Sequence, residues 1–178
     1  GTVNYRWNYF SYYQEIQNGL VEAIRHNKLN FHTVKAFIDL WMVNFWQNLR
    51  YGDAQINDFE NLFEDKPAIV VSAGPSLDKN IQLLHKAREK ALIIAVGSAI
   101  SILEKKGIKP HFRMAIDPTL ENEKLFEYTS SDDIPLVYSN HLFYKILPAY
   151  QGPKIHLALD SNSGFEEYLY DRAKVKVG

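Results

Sequence analysis

The pattern of apolar positions along the chain changes after Pro67. From there onward, short continuous apolar runs alternate with amphipathic stretches of helical spacing. Continuous apolar runs separated by helices are typical of parallel strands buried on both faces. The pattern therefore predicts an α/β fold, with a Rossmann-like, mainly parallel sheet and flanking helices. Strands are predicted near 68–72, 91–96, 112–116, 135–138 and 155–159.

The first fifty residues show a helical periodicity instead. Two helices are predicted, one over "NYFSYYQEIQNGLVEAIRHN" and one over "FHTVKAFIDLWMVNFWQNLR", with Asn30 as the N-cap of the second. A short linking helix is predicted over "INDFENLF". We therefore interpret residues 1–66 as a helical linker or subdomain and residues 67–178 as the sheet domain.

The predicted sheet brings five loops to one edge. Right-handed crossovers place the carboxyl ends of parallel strands on the same side, and ligands of open α/β sheets bind in the crevice outside these ends. The candidate site loops are 72–76, 97–98, 117–119, 138–141 and 160–164.

The stretch "SAGPS" leads from the first predicted strand into a helix. Gly74 can take a positive φ and let a ligand approach the backbone, while Pro75 suits the first turn of a helix. Ser76 or Asp78 can cap that helix. Free backbone N–H groups, together with the Ser72 and Ser76 hydroxyls, would form a cradle for an anion. A tight turn without a ligand explains the same residues, and the spacing matches neither a dinucleotide fingerprint nor a P-loop.

The next loops carry further candidates, each with an alternative. Gly97 and Ser98 can approach a base or phosphate, but Ser98 also suits the N-cap of the following helix. Asp117 can bind a ribose hydroxyl, a metal ion or an amine, or it can close an Asx turn or cap a helix. His141 is the natural candidate for a general base because the pKa of histidine lies near neutrality, and a surface or capping histidine is its alternative. In the last loop, Asp160 and Asn162 can face the crevice or serve only the turn.

Composition narrows the functional classes. The formal net charge is −1, so no global field attracts nucleic acid or an anionic membrane surface. No apolar run approaches the roughly 18 residues of a membrane span. The chain has no cysteine, which excludes disulfides and thiolate chemistry, and no cluster of residues has the spacing of metal ligands. We expect a cytoplasmic protein without a tightly bound cofactor.

Three stretches together resemble a known family. "KPAIVVSAGPSLDKNIQLL", "ALIIAVGSAISILEKKGIKPHFRMAIDP" and "IPLVYSNH" look like the central domain of the motility accessory factor proteins, over roughly residues 60–178. That family is implicated in glycosylating flagellin with nonulosonic acids such as pseudaminic or legionaminic acid. The same domain is similar to archaeal 6-hydroxymethylpterin diphosphokinases. Its Gly-Pro-Ser-Leu turn also resembles that of bacterial sialyltransferases, which use CMP-sialic acid.

The resemblance implies roles for particular residues. Gly74, Pro75 and Ser76 would line the CMP phosphate and ribose, and Gly97 and Ser98 would approach the nucleotide. Asp117 would lie where the domain meets the cytidine or the donor sugar.

The resemblance also implies an activity: transfer of a sugar from a CMP-sugar donor to Ser or Thr of flagellin. His141 and Asp117 are then the candidates for catalytic groups. An alternative is a pterin diphosphokinase that uses ATP and Mg²⁺, with Asp117 as a metal ligand. A third reading is a non-enzymatic module that binds a nucleotide or flagellin.

The end of the chain carries a further expectation. Proteins of the resembled family continue with a second glycine-rich segment, near the position of Gly178 here. We therefore expect an incomplete domain that is inactive by itself and that self-associates through its open end.

Overall fold

The computed structural model describes residues 10–52, 54–127, 129 and 133–159, and within the first range it leaves out the side chains of residues 12–13 and 23–30. By its internal contacts the chain divides into two compact units, Gly1–Asp39 and Leu40–Gly178. The described part of the first unit is helical from Phe10 onward. The sheet and all the site loops belong to the second unit.

A single helix, α1, runs over Phe10–Asn48. The prediction of two helices with Asn30 as a cap between them is therefore wrong. No proline or glycine interrupts the sequence between Leu20 and Asn48, and an asparagine inside a helix costs only about 0.7 kcal/mol relative to alanine. A good capping residue does not end a helix that has no breaker beside it.

The sheet has six parallel strands in the order β1-β6-β5-β4-β3-β2. All five predicted strands are present, and the mainly parallel fold is confirmed. The strands are β1 (Ala54–Gln55), β2 (Ala68–Val71), β3 (Leu92–Val96), β4 (Phe112–Ala115), β5 (Leu136–Tyr138) and β6 (Lys154–His156).

Strand β1 is an addition to the prediction and precedes the predicted boundary at residues 66/67. It has only two residues, too few for an apolar pattern, and pairs with Ile155 and His156 of β6. The predicted linking helix that follows is a 3₁₀ turn at Ile56–Phe59.

Short helices connect the strands. Between β2 and β3 lie α2 (Pro75–Asn80), a 3₁₀ turn (Ile81–Leu83) and α3 (Leu84–Ala87). Helix α4 (Ala99–Lys105) joins β3 to β4, a 3₁₀ helix (Leu120–Leu125) follows β4, and α5 (Ile146–Ala149) precedes β6. Strands β2 to β6 follow one another across the sheet in one direction, and right-handed crossovers of that kind place their helices on one face.

The core lies on this helix-covered face. Its first part packs Val71, Ile93 and Ala95 of the sheet against α2, α3 and α4. The second part packs Ala115, Leu136 and Tyr138 against residues 142–150, which include α5. The register between strands keeps these sheet residues side by side on one face.

A charged side chain is buried within this core. Arg113 of β4 is fully buried, and its Nη2 donates to Glu104 Oε2 at 2.8 Å. Its Nη1 donates to the Tyr150 hydroxyl at 2.7 Å, and that hydroxyl donates in turn to the Ile134 carbonyl at 2.5 Å. Burial raises the pKa of Tyr150, so the hydroxyl keeps its proton and remains a donor. Arg113 thus joins strand β4 to helix α4 and to Tyr150, the residue that follows α5.

Candidate functional site

A cavity of about 520 Å³ opens at the carboxyl ends of β3 and β4, and we call it the β3–β4 cavity. Gly97, Ser98 and Asp117 all line it, so the fold brings together three candidates from two separate loops. The other lining residues are Val96, Met114, Ala115, Ile116, Thr119, Glu121, Asn122 and Leu125. The cavity lies where open parallel sheets bind their ligands.

Gly97 shapes the β3 side of the cavity. Its φ is +56°, in the left-handed region that favours glycine, and its N–H donates to the Met114 carbonyl at 3.2 Å. Ser98 occupies the N-cap position of α4, as the alternative reading expected, but its side chain makes no capping hydrogen bond. The exposed Ser98 hydroxyl is therefore not used by the helix that it precedes.

Asp117 shapes the β4 side. Its Oδ1 accepts hydrogen bonds from the Thr119 N–H at 2.9 Å and from the Thr119 hydroxyl at 2.8 Å. This is the Asx turn of the alternative reading, and Thr119, rather than Asp117, is the N-cap of the following 3₁₀ helix. The carboxylate is exposed and lines the cavity, so the turn holds it at the cavity wall.

The cavity wall is acidic. Glu121 lines it together with Asp117, and among the described residues no lysine or arginine does. Asn122 is buried there, with its Nδ2 donating to the Thr119 hydroxyl at 3.2 Å. Thr119 belongs to the predicted site loop 117–119, whereas Glu121 and Asn122 lie beyond that loop, in a stretch whose sequence indicates only a helix. Two carboxylates suit hydroxyl or amino donors of a ligand, or a divalent cation.

The Ser72–Ser76 turn lies one strand away. Val71, the last residue of β2, pairs with Ala95 of β3, so the turn leaves the sheet at the same edge. The structure describes residues 72–76, and none of them lines the β3–β4 cavity. Neighbouring strands are about 4.8 Å apart, so the turn lies beside the cavity at the same edge of the sheet.

Two details of this turn concern Gly74. Gly74 has φ −176° and ψ 170°, extended backbone that any residue adopts, so the positive φ that glycine allows is not used here. Gly74 is itself the N-cap of α2, so neither Ser76 nor Asp78 caps that helix; Pro75 takes the first helical position, as predicted. A Cβ at Gly74 would meet no described atom within 4 Å, so the backbone here faces open space.

His141 lies in the loop after β5. Its ring stacks on Trp41 of α1, with ring centroids 5.4 Å apart and an interplanar angle of 26°. The structure does not bring His141 into the β3–β4 cavity wall, and its role as a base stays a prediction. The candidates Asp160 and Asn162, with loop 160–164, lie outside the described residues.

Within the ranges that the structure describes, no three His, Asp or Glu side chains come together as metal ligands. No helix in those ranges is long and apolar enough to cross a membrane.

The fold and the cavity define an α/β protein with a cavity at the carboxyl edge of a parallel sheet. Residues 43–177 match the family model described as 6-hydroxymethylpterin diphosphokinase MptE-like, and the chain belongs to this MptE-like family.

Two known proteins are similar to the chain. A protein of Treponema pallidum (strain Nichols), described as uncharacterized, is 31% identical over 105 residues, which are 59% of this chain and 50% of that protein. The fold is similar to that of the MAf glycosyltransferase from Magnetospirillum magneticum AMB-1, with a TM-score of 0.54 and 19% identity, over 68% of this chain and 20% of that one. The chain thus spans half or less of the length of these relatives. Family and fold together confirm the resemblance to motility accessory factor and MptE-like proteins.

Proposed function

We propose that the β3–β4 cavity binds the nucleoside of a CMP-activated nonulosonic acid, and that the protein transfers this sugar to Ser or Thr of flagellin in the cytoplasm. The observation that carries the proposal is the convergence of Gly97, Ser98 and Asp117 in one cavity at the carboxyl edge. The similar fold of a protein described as a glycosyltransferase supports the reaction class.

The charges along this edge of the sheet indicate where the nucleoside and the phosphate of the CMP-sugar would bind. Asp117 and Glu121 would repel a phosphate but accept hydrogen bonds from ribose hydroxyls and from the exocyclic amino group of cytosine. The phosphate then belongs at the neighbouring turn, where the Ser72 and Ser76 side chains are exposed and their hydroxyls can donate hydrogen bonds. The acidic cavity thus suits the nucleoside end of the nucleotide, and the neutral turn suits its phosphate end.

Transfer would proceed by attack of the acceptor hydroxyl oxygen on the anomeric carbon. The bond from this carbon to the phosphate oxygen breaks, and CMP leaves with the bonding electrons. The donors at the turn would stabilise the charge that develops on the phosphate. His141, held against Trp41 in the loop next to Asp117, is our candidate for the base that accepts the hydroxyl proton.

A second candidate function is diphosphokinase activity with ATP and Mg²⁺, which the description of the family favours. The pair of carboxylates in the cavity fits it, because Mg²⁺ is commonly held by one or two carboxylates together with substrate phosphates. Asp117 and Glu121 would then hold the cation, which would neutralise the phosphates between them and the turn.

Calorimetric titrations with CMP, UMP and ATP, each with and without Mg²⁺, separate the two functions. The proposal expects CMP to bind without Mg²⁺ and more tightly than UMP, because uracil presents an acceptor where cytosine has its amino group. One such base contact discriminates by about 1–3 kcal/mol, or roughly 5- to 160-fold in affinity. Binding of ATP only with Mg²⁺, and no binding of CMP, would favour the diphosphokinase.

A further inference from the structure

We propose that Asn44 of helix α1 is a positioning residue that holds the loop of Asp117 against the loop of His141, and so sets the place of the Asp117 carboxylate in the β3–β4 cavity. This inference rests on the proposed function of the cavity. Asn44 itself is not part of the cavity wall as described.

The side chain of Asn44 connects the two loops directly. Its Nδ2 donates to the Pro118 carbonyl and to the His141 carbonyl, each at 3.0 Å. Its Oδ1 accepts from the Tyr144 N–H at 3.2 Å. Asn44 is 1% exposed, so water does not compete for these bonds, and each one lost would leave a buried polar group without its partner.

The bond to Pro118 acts next to the functional side chain. Pro118 follows Asp117 directly and precedes Thr119, which makes both hydrogen bonds to Asp117 Oδ1. The Phe143 N–H donates to the Asp117 carbonyl at 3.1 Å, so the two loops also touch each other. Asn44 therefore fixes the peptide from which the cavity carboxylate projects.

Asn48, one helical turn further along α1, provides a matched control. It is fully buried, and its Nδ2 donates to the Asn140 carbonyl at 3.1 Å and the Leu142 carbonyl at 2.6 Å. Both acceptors lie in the loop after β5. Asn48 thus resembles Asn44 in burial and in its two donated bonds, but neither of those bonds reaches the loop of Asp117.

The test compares Asn44→Ala with Asn48→Ala in the purified protein, by urea unfolding and by titration with CMP and UMP. Both variants are expected to lose stability. Asn44→Ala should also bind CMP about tenfold more weakly and lose its preference over UMP, whereas Asn48→Ala should keep that preference and stay within about twofold of the wild type. A role limited to anchoring α1 would not change the preference between the two nucleotides. If Asn44→Ala does not fold, Asn44→Ser, which retains a donor, is compared with Asn48→Ser.

The outcomes distinguish the inference from the function on which it rests. Wild-type binding of CMP, with equal losses of affinity and of preference in the two variants, overturns the inference alone. A wild-type protein that does not bind CMP overturns the proposed function, and the inference falls with it.

Discussion

Gly74 and Gly97 follow neighbouring strands at the same edge of the sheet, yet their backbones differ. Gly97 has φ +56°, whereas Gly74 is extended at −176°. A side chain at position 97 would strain the backbone by about 1–2 kcal/mol, while one at position 74 would not. Gly74 is therefore the position where a side chain can test ligand binding without disturbing the fold.

The variant Gly74→Val is expected to abolish or strongly weaken CMP binding and to lower the free energy of unfolding by no more than about 1 kcal/mol, because valine is a poorer N-cap than glycine but adopts the extended backbone without strain. The valine would project into space that is open within 4 Å of the Cβ, where the proposal places the phosphate and ribose. Calorimetry and urea unfolding measure the two effects. Gly97→Ala is the contrasting variant, since it should lose stability. Unchanged affinity in Gly74→Val would reduce the Ser72–Ser76 turn to a connector.

Asp117 has a structural and a proposed binding role, and two substitutions separate them. Asp117→Asn keeps an Oδ1 acceptor for both Thr119 bonds but removes the charge, so we expect weaker CMP binding with stability nearly unchanged. Asp117→Ala removes the acceptor as well and should lose about 1 kcal/mol of stability in addition. If Asp117→Asn binds CMP like the wild type, the carboxylate serves only its turn.

At the scale of elements, His111 joins strand β3 to the start of β4. Its N–H donates to the Ile93 carbonyl at 2.8 Å, and its ring Nδ1 accepts from the Ile93 N–H at 2.9 Å. Burial, followed by the charges of Arg88 and Lys66, lowers the pKa of His111 below its usual 6.5. The folded state therefore favours the neutral ring, which is also the form able to accept this bond.

Because the folded state favours neutral His111, we expect the free energy of unfolding to fall in acid. The contribution of His111 is fully present above its unfolded pKa of about 6.5 and is lost as the pH falls through the lower folded value. We expect urea unfolding to show this loss as the pH is lowered below about 6.5. His111→Asn offers an acceptor that does not titrate, so its stability should fall less over the same range. Parallel pH profiles for the two proteins would contradict this role of His111.

The elements also show what the sequence could predict. Continuous apolar runs such as Leu92–Val96 carry a local signal, and parallel topology alone was enough to bring Gly97 and Asp117 together. The two-residue strand β1 is too short for any pattern. Helix α1 is continuous because the residue that suggested its break, Asn30, is tolerated within a helix.

Buried polar residues were missed for a different reason. Asn44 and Asn48 lie 74 to 97 residues away from the carbonyls that they bind, and Arg113 lies 37 residues from Tyr150. Local periodicity carries no information about such partners. Apolar periodicity therefore predicts the loops of the candidate site but not the side chains that hold those loops in place.

At the scale of the whole molecule, the position of the candidate site follows from the order of the strands in the sheet. Strands β2 to β5 stand in sequence order, so the loops after β2, β3, β4 and β5 line up along one edge. The proposed turn, cavity and base candidate occur in that order along it. A nucleotide bound along the edge would place its phosphate at one end, over β2, and its nucleoside over β3 and β4.

The most direct test of this account is to locate bound CMP by titrating the ¹⁵N-labelled protein and following its amide resonances. The account predicts saturable shifts at Gly97, Ser98, Thr119 and Glu121, together with shifts in the Ser72–Ser76 turn. Saturable shifts confined to other parts of the protein, with these amides unchanged, would contradict it.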